Sequence, residues 1–150
     1  MKFIETLQYP HLAVESRDQL LRCLGDAAVA AGQAAPGYAD ALLEREVQFP
    51  TGLPVSGGVA IPHTAAEYVT GNTIAVASLN RPVTFEEMGG SGREVEVDLV
   101  LLLILGEAEQ HVEHLPRLIR TIQDEQFTQD LRQANTAEQI TDVLEQRLGT

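Results

Sequence analysis

The chain has 150 residues, of which 44% are apolar, and this is enough to form the core of one domain. Its formal net charge of −12 argues against nucleic-acid binding, because that function needs basic patches to neutralise phosphates. The lone cysteine, Cys23, excludes an internal disulfide and fits a reducing cytoplasm. The first residues carry no signal-peptide core, and no apolar run reaches membrane-spanning length. We therefore expect a single cytoplasmic domain over residues 1–150, without direct membrane insertion.

The first predicted helix runs from about Ser16 to Ala31. It opens with a capping box, Ser16-Arg17-Asp18-Gln19, and carries an apolar stripe at helical spacing. Gly32 is a suitable stop. Cys23 lies off the centre of the stripe, so we expect a structural, half-buried thiol and not a catalytic one.

A second helix is predicted from Pro36 to about Glu46, since proline is tolerated in a first turn. Tyr38, Leu42 and Arg45 share one of its faces, which places Arg45 at the C-terminal end of the inward-facing stripe. Two interpretations of Arg45 stay open. It either complements the helix dipole with its stem half-buried, or it binds an anion with its fork of donors.

Three strands are predicted next, over Val59–Pro62, Thr73–Leu79 and Glu94–Leu105. The last strand is apolar throughout after its first residues, which indicates helices on both sides of the sheet. Asn80 to Arg93 is interpreted as a flexible connector. Its glycine cluster is followed by a strand, whereas a phosphate-binding loop needs a helix N-terminus or a lysine close behind it.

Helices are predicted after the last strand, over Gln110–Gln123, Glu125–Ala134 and from a capping box at Thr136 onwards. Helical projection places His111 at the N-terminal end of the buried face and His114 towards solvent. Pro116 is tolerable only if this helix begins near His114. His11 is expected in a loop.

The segment Gly58-Val59-Ala60-Ile61-Pro62-His63-Thr64 is the most informative part of the chain. Pro62 ends an apolar strand, so that His63 would lie at the mouth of the sheet on a stiff backbone. Imidazole is both a nucleophile and a proton carrier near neutral pH. The alternative is a strand-end histidine that is hydrogen-bonded in a turn.

Several collinear segments around this motif resemble the IIA component of the bacterial sugar phosphotransferase system, of the fructose–mannitol class. They are Tyr38 to Glu46, Phe49 to Pro54, the GVAIPHT segment, Arg81 to Gly89, and the apolar run Val97 to Leu105. The FPTGLP and PVTFEEMG sequences are most similar to the galactitol-type branch. The resemblance covers almost the whole chain. It implies an α/β fold in which a mixed β-sheet is flanked by helices on both faces, like that of mannitol IIA.

The resemblance also implies an activity, which is phosphoryl transfer through a phosphohistidine. His63 would accept the group from a histidine-containing phosphocarrier protein and pass it to a cysteine of a IIB component, with the membrane IIC permease involved indirectly. Arg45 would supply positive charge to the transferring group, and Thr64 a hydroxyl or backbone N–H. His111 matches a second histidine of the family that donates a hydrogen bond to the phosphoryl oxygens. The alternative for His111 is a helix N-terminal residue packed at the rim of the core.

Two other functions remain open. One is a regulatory, nitrogen-type IIA protein that is phosphorylated on His63 without sugar transport. The other is an interaction module that is never phosphorylated. No metal is expected because no His, Cys and carboxylate group has ligand spacing, and no cofactor is expected either. A hydrolase would need a Ser or Cys nucleophile motif, which the sequence lacks.

Overall fold

The computed structural model describes residues 1–106 and 108–149, with side chains for residues 1–106 and 114–149. Within that part of the chain, five strands form one sheet in the order β1-β4-β5-β3-β2. The strands are β1 (Gln8–Leu12), β2 (Gly52–Leu53), β3 (Val59–Ala60), β4 (Asn72–Glu86) and β5 (Glu94–Leu105). The β1–β4 and β3–β5 pairs are parallel, whereas β4–β5 and β2–β3 are antiparallel. The predicted mixed sheet is therefore confirmed.

Helices cover both faces of this sheet, as predicted. They are α1 (Arg17–Ala30), α2 (Tyr38–Gln48), α3 (Ala108–Ile122), α4 (Glu125–Gln133) and α5 (Ala137–Leu148). The β5 strand shows how the two layers arise, because its successive side chains point to opposite faces. Val100, Leu102 and Ile104 pack in the cluster that includes α1 and α2, and the residues between them pack against α3, α4 and α5.

The predicted helix starts are confirmed where a side chain caps them. Ser16 Oγ accepts from the Gln19 backbone N–H at 3.0 Å, and Thr136 Oγ1 accepts from the Gln139 N–H at 3.1 Å. Such a cap satisfies one of the donors that a helix leaves unpaired at its start. In the described residues, no helix combines the length and the apolar character that crossing a bilayer requires.

Strand prediction was wrong for four of the five strands. The β1 and β2 strands were not predicted, and β4 continues to Glu86 through a segment that was interpreted as connector. The predicted strand Val59–Pro62 is assigned only over Val59–Ala60. His11 consequently lies in the edge strand β1 and not in a loop, at a register irregularity where its φ is 52°. An edge strand tolerates Pro10, because the N–H that proline lacks does not have to pair there. A proline within a run of residues nevertheless argues against a strand when only the sequence is considered.

Two helix predictions also needed correction. The α2 helix begins at Tyr38 and not at Pro36, because Gly37 adopts a left-handed φ of 95° at the N-cap. The α3 helix begins at Ala108, so Pro116 lies inside it and not in its first turn. His114 is half-buried beside a small apolar cavity lined by Leu105 and Leu148, among others, and does not face solvent freely.

Candidate active site

The backbone around Pro62 is tied to the centre of the sheet. Its carbonyl accepts from the Leu103 N–H at 3.0 Å, which continues the parallel contact of β3 with β5 beyond the assigned end of β3. His63 follows at the carboxyl end of both strands, and its side chain is half-buried. The α3 helix begins at this same edge, because it follows β5 directly along the chain. It includes His111, whose side chain lies outside the described part of the structure.

The ring of His63 has a defined tautomer. Nδ1 lies 3.0 Å from the Ile61 carbonyl oxygen, two residues earlier. A carbonyl oxygen can only accept a hydrogen bond, so Nδ1 must carry the proton and act as the donor. The neutral ring then has its lone pair on Nε2. In this tautomer Nε2, and not Nδ1, is the basic nitrogen of the His63 ring.

Arg45 lies in the last turn of α2 and pairs with no acidic side chain in the described part of the structure. Its Cζ is 4.3 Å from the centroid of the Phe49 ring, close enough for a cation–π contact. Its Nε is buried without a hydrogen-bond partner, and no ion pair among the described side chains includes this residue. An arginine that is held by stacking and lacks an acidic partner is suited to bind an anion through its free donors.

A surface depression of about 160 Å³ brings Arg45 and Thr64 together. The other residues that line it are Ala41, Glu44, Gln48, Ala65 and Tyr68. Thr64 is 3% exposed, and its hydroxyl donates to the Ala65 carbonyl at 2.9 Å. In this conformation the Thr64 hydroxyl can only accept a further hydrogen bond, so it would have to rotate before donating to a phosphoryl oxygen.

Glu46 is a residue of the site region that the sequence analysis missed. It is 2% exposed, and its carboxylate accepts from both the N–H and the hydroxyl of Thr51, each at 2.7 Å. Burial raises the pKa of Glu46 from its ordinary 4.5 to about 7. A signal was available, because Leu42 and Glu46 stand four residues apart and so share one helix face.

Apolar side chains are exposed close to this region. Val47 and Phe49 are 62% and 56% exposed, and Tyr68 is 37% exposed at the rim of the depression. Exposed apolar clusters of this kind are typical of surfaces that contact other proteins. Across the described residues, no group of His, Cys, Asp and Glu could hold a metal ion.

Solved structures with this fold include IIA proteins. The crystal structure of IIA mannitol from Escherichia coli superposes with a TM-score of 0.77 at 21% identity, covering 96% of this chain and 99% of that one. Nitrogen regulatory protein IIA-Ntr from Neisseria meningitidis superposes with a TM-score of 0.70 at 24% identity, covering 95% of each chain. At these identities the likeness shows the fold.

Sequence comparison is more specific. A nitrogen regulatory protein of Bradyrhizobium diazoefficiens is 36% identical over 138 residues, which are 90% of this chain and 86% of that protein. A multiphosphoryl transfer protein of Shigella flexneri is 38% identical over 108 residues, and the match spans only 12% of that longer protein. The family described as "Phosphoenolpyruvate-dependent sugar phosphotransferase system, EIIA 2" matches residues 4–147. The chain therefore belongs to the EIIA 2 family of the phosphoenolpyruvate-dependent sugar phosphotransferase system.

Proposed function

We propose that this chain is a cytoplasmic IIA phosphocarrier, formed by a single domain over residues 1–150, with His63 as its phosphoryl acceptor. The observation that carries the proposal is the hydrogen bond from His63 Nδ1 to the Ile61 carbonyl, at 3.0 Å. This hydrogen bond leaves the lone pair of the His63 ring on Nε2. The next residue, Thr64, lines the same depression as Arg45, whose buried Nε has no hydrogen-bond partner in the described part of the structure. Phosphoryl transfer needs both a nucleophile and an anion-binding group, and we assign these roles to His63 and Arg45.

The proposed reaction has two steps. The lone pair of Nε2 attacks the phosphorus of a donor phosphohistidine, forming a new N–P bond, and the donor imidazole leaves with the electron pair of the old one. A cysteine thiolate of the IIB component then attacks the phosphorus, and the His63 ring is the leaving group. Both steps pass through a charge-spread, metaphosphate-like state, which Arg45 stabilises, with Thr64 and His111 as further candidates for phosphoryl contact.

Several findings support particular partners. One structural neighbour is a complex of enzyme IIAMTL with phosphorylated enzyme IIBMTL from Escherichia coli, with a TM-score of 0.77, which favours a IIB partner here. A histidine-containing phosphocarrier as donor and an indirect role of a membrane IIC permease are consistent with the family and form part of this proposal. The FPTGLP and PVTFEEMG motifs favour a sugar or polyol substrate of the galactitol type for the system as a whole.

The test is to label the protein from phosphoenolpyruvate through purified general carrier proteins. We expect an acid-labile phosphate on His63 that tandem mass spectrometry locates. His63→Ala should abolish this label while the circular dichroism spectrum stays unchanged, and His11→Ala and His114→Ala should keep it. A label that survives in His63→Ala would contradict the proposal, and a wild-type protein that never becomes labelled would favour the unphosphorylated interaction module.

A regulatory role is the second candidate. The observation that favours it is the 36% identity to a nitrogen regulatory protein over 86% of that protein's length. Both candidates use phosphorylated His63, so labelling does not separate them. Chasing the phosphorylated protein with purified IIB proteins does: a transport component loses its phosphate to a IIB cysteine, and a regulator retains it.

A further inference from the structure

Glu46 is buried at the end of α2 next to Arg45, and the proposed chemistry gives it no role. Burying a carboxyl group is unfavourable unless its oxygens are hydrogen-bonded. Here both oxygens are satisfied by one residue, since they accept from the backbone N–H and the hydroxyl of Thr51. None of the ion pairs among the described side chains includes Glu46. The carboxyl group thus serves to hold Thr51.

Thr51 is linked in turn to the His63 ring. Its carbonyl accepts from the Ile61 N–H at 3.2 Å, and the Ile61 carbonyl accepts from His63 Nδ1 at 3.0 Å. Consecutive hydrogen bonds therefore connect Glu46 to the His63 ring through Thr51 and Ile61. The carbonyl that selects the tautomer of His63 belongs to the same residue whose N–H is fixed by Thr51.

We propose that Glu46 is a positioning residue that acts through Thr51 and Ile61 to hold the His63 ring in the tautomer that has its proton on Nδ1 and its lone pair on Nε2, which phosphoryl transfer at Nε2 requires. The inference rests on the proposed function at His63. Its physical basis is the weakness of the local sheet, because β2 consists only of Gly52–Leu53 and its ladder contributes few hydrogen bonds. Glu46 adds two contacts just where that ladder ends. It also joins the His63 segment to the turn of α2 that carries Arg45.

An alternative is that Glu46 only stabilises the fold. An apolar residue at this position of α2 would leave the buried N–H and hydroxyl of Thr51 without these acceptors, so stability would fall under either role. The tautomer of His63 separates the two roles. A purely structural Glu46 would affect the melting temperature but would leave the ring proton on Nδ1.

The test compares three variants and one control variant with the wild type. Glu46→Gln keeps both contacts, since its amide oxygen accepts from the Thr51 N–H and its amide nitrogen donates to the Thr51 hydroxyl oxygen. Glu46→Leu removes both contacts, and Thr51→Val removes only the hydroxyl. Asp40→Asn is the matched control, because it neutralises an exposed carboxylate of the same helix. Each protein is characterised by ¹⁵N NMR of its histidine rings and by single-turnover transfer from the phosphorylated carrier.

The wild type, Glu46→Gln and Asp40→Asn should show the Nδ1–H tautomer of His63 and similar maximal transfer rates. Glu46→Leu should show mixed tautomers and a maximal rate lowered about ten-fold or more, at an unchanged half-saturating carrier concentration. Should Glu46→Leu not fold, Thr51→Val must show a partial shift in the same direction. A folded Glu46→Leu or Thr51→Val with the wild-type tautomer overturns the inference. The ring tautomer is measured on the unphosphorylated protein. A failure of this inference is therefore distinct from a failure of the proposed function, in which the wild type would not be labelled on His63.

Discussion

At the residue scale, two groups of the proposed site, His63 and Arg45, are each oriented by a contact within the chain. The Ile61 carbonyl holds the proton of His63 on Nδ1, and the Phe49 ring holds the guanidinium of Arg45 at 4.3 Å. Preorganised groups need no rearrangement when charge develops in the transition state, and this is where most catalytic stabilisation arises. Stacking is well suited to this task, because it orients a guanidinium without consuming its hydrogen-bond donors.

Arg45→Ala should lower the maximal rate of phosphoryl transfer by about 100-fold, because it removes a charge-assisted contact to the transferring group. Arg45→Lys should also be impaired, by roughly ten-fold, since an ammonium retains the charge without the planar fork. Single-turnover transfer from the phosphorylated carrier measures both rates. Arg22→Ala is the control, because Arg22 is an exposed arginine that pairs with Asp40. Wild-type transfer by Arg45→Ala would mean that the site is assigned wrongly.

The raised pKa of Glu46 predicts that the stability of the fold depends on pH. The carboxyl of Glu46 ionises near 4.5 in the unfolded chain, whereas burial raises its pKa to about 7 in the fold. Hydrogen bonds from Thr51 and the charge of Arg17 oppose this rise, and Glu86 adds to it. Between these pH values the unfolded state is charged while the folded state keeps its proton. The contribution of Glu46 to stability therefore falls from pH 4.5 to 7 and is level above it.

Glu46→Gln removes this titration without removing the contacts to Thr51. The free energy of unfolding of the variant, relative to the wild type, should rise by about 2 kcal/mol between pH 5 and pH 8. Urea unfolding at several pH values measures it, and the remaining titratable groups are the same in both proteins. A difference that stays constant over this range would show that Glu46 titrates normally.

At the scale of elements, the helices and strands that could be predicted from the sequence were those with a regular pattern of apolar residues. The Glu94–Leu105 strand was predicted with both of its ends, and α4 and α5 were predicted closely, because long apolar patterns and capping boxes define them. The β2 strand has two residues and therefore no pattern. It exists because Gly52 lets the chain approach β4, where an added Cβ would lie 2.7 Å from the Glu86 carbonyl oxygen.

Some features of the candidate site could likewise be predicted from the sequence, and others could not. The strand-ending Pro62 and the helical position of Arg45 could be inferred from local sequence, whereas the contact of Glu46 with Thr51 depends on how α2 turns into β2. The hydrogen bond from His63 to Ile61 depends on the path of the backbone after β3. Tertiary contacts of this kind leave no periodic trace in a sequence, since each is made by a single irregular turn.

The turn before β3 gives a prediction for this scale. Gly58 has a φ of 105°, and an added Cβ would collide with the Glu96 carbonyl oxygen of the adjacent β5. Gly89 has a similar φ of 97° with open space around it. Gly89→Ala should therefore cost only the backbone strain, about 1–2 kcal/mol of unfolding free energy. Gly58→Ala should cost about 3 kcal/mol or more, since it adds a backbone clash. Equal losses in urea unfolding would contradict the observed packing of the turn on β5.

At the scale of the whole molecule, charge and apolar surface have separate roles. The exposed apolar side chains lie close to the Arg45 depression, and the net charge of −12 belongs to the chain as a whole. Under the proposed function, apolar contact with a partner would exclude water from a labile phosphohistidine, and this needs a short-range fit. Net charge acts over longer distances and favours encounter with a basic partner.

This separation predicts how salt affects transfer. The second-order rate constant at sub-saturating carrier should fall as ionic strength rises, because steering is screened over about 8–10 Å at physiological salt. The maximal rate should change little, since the contacts at His63 and Arg45 are short-range. Stopped-flow transfer from the phosphorylated carrier over a range of salt concentrations measures both constants. Replacing the exposed acidic residues Asp18 and Glu138, which lie in the first turns of α1 and α5, by their amides should reduce the salt dependence without changing the maximal rate. A second-order rate constant that does not depend on salt would mean that the acidic surplus maintains solubility alone.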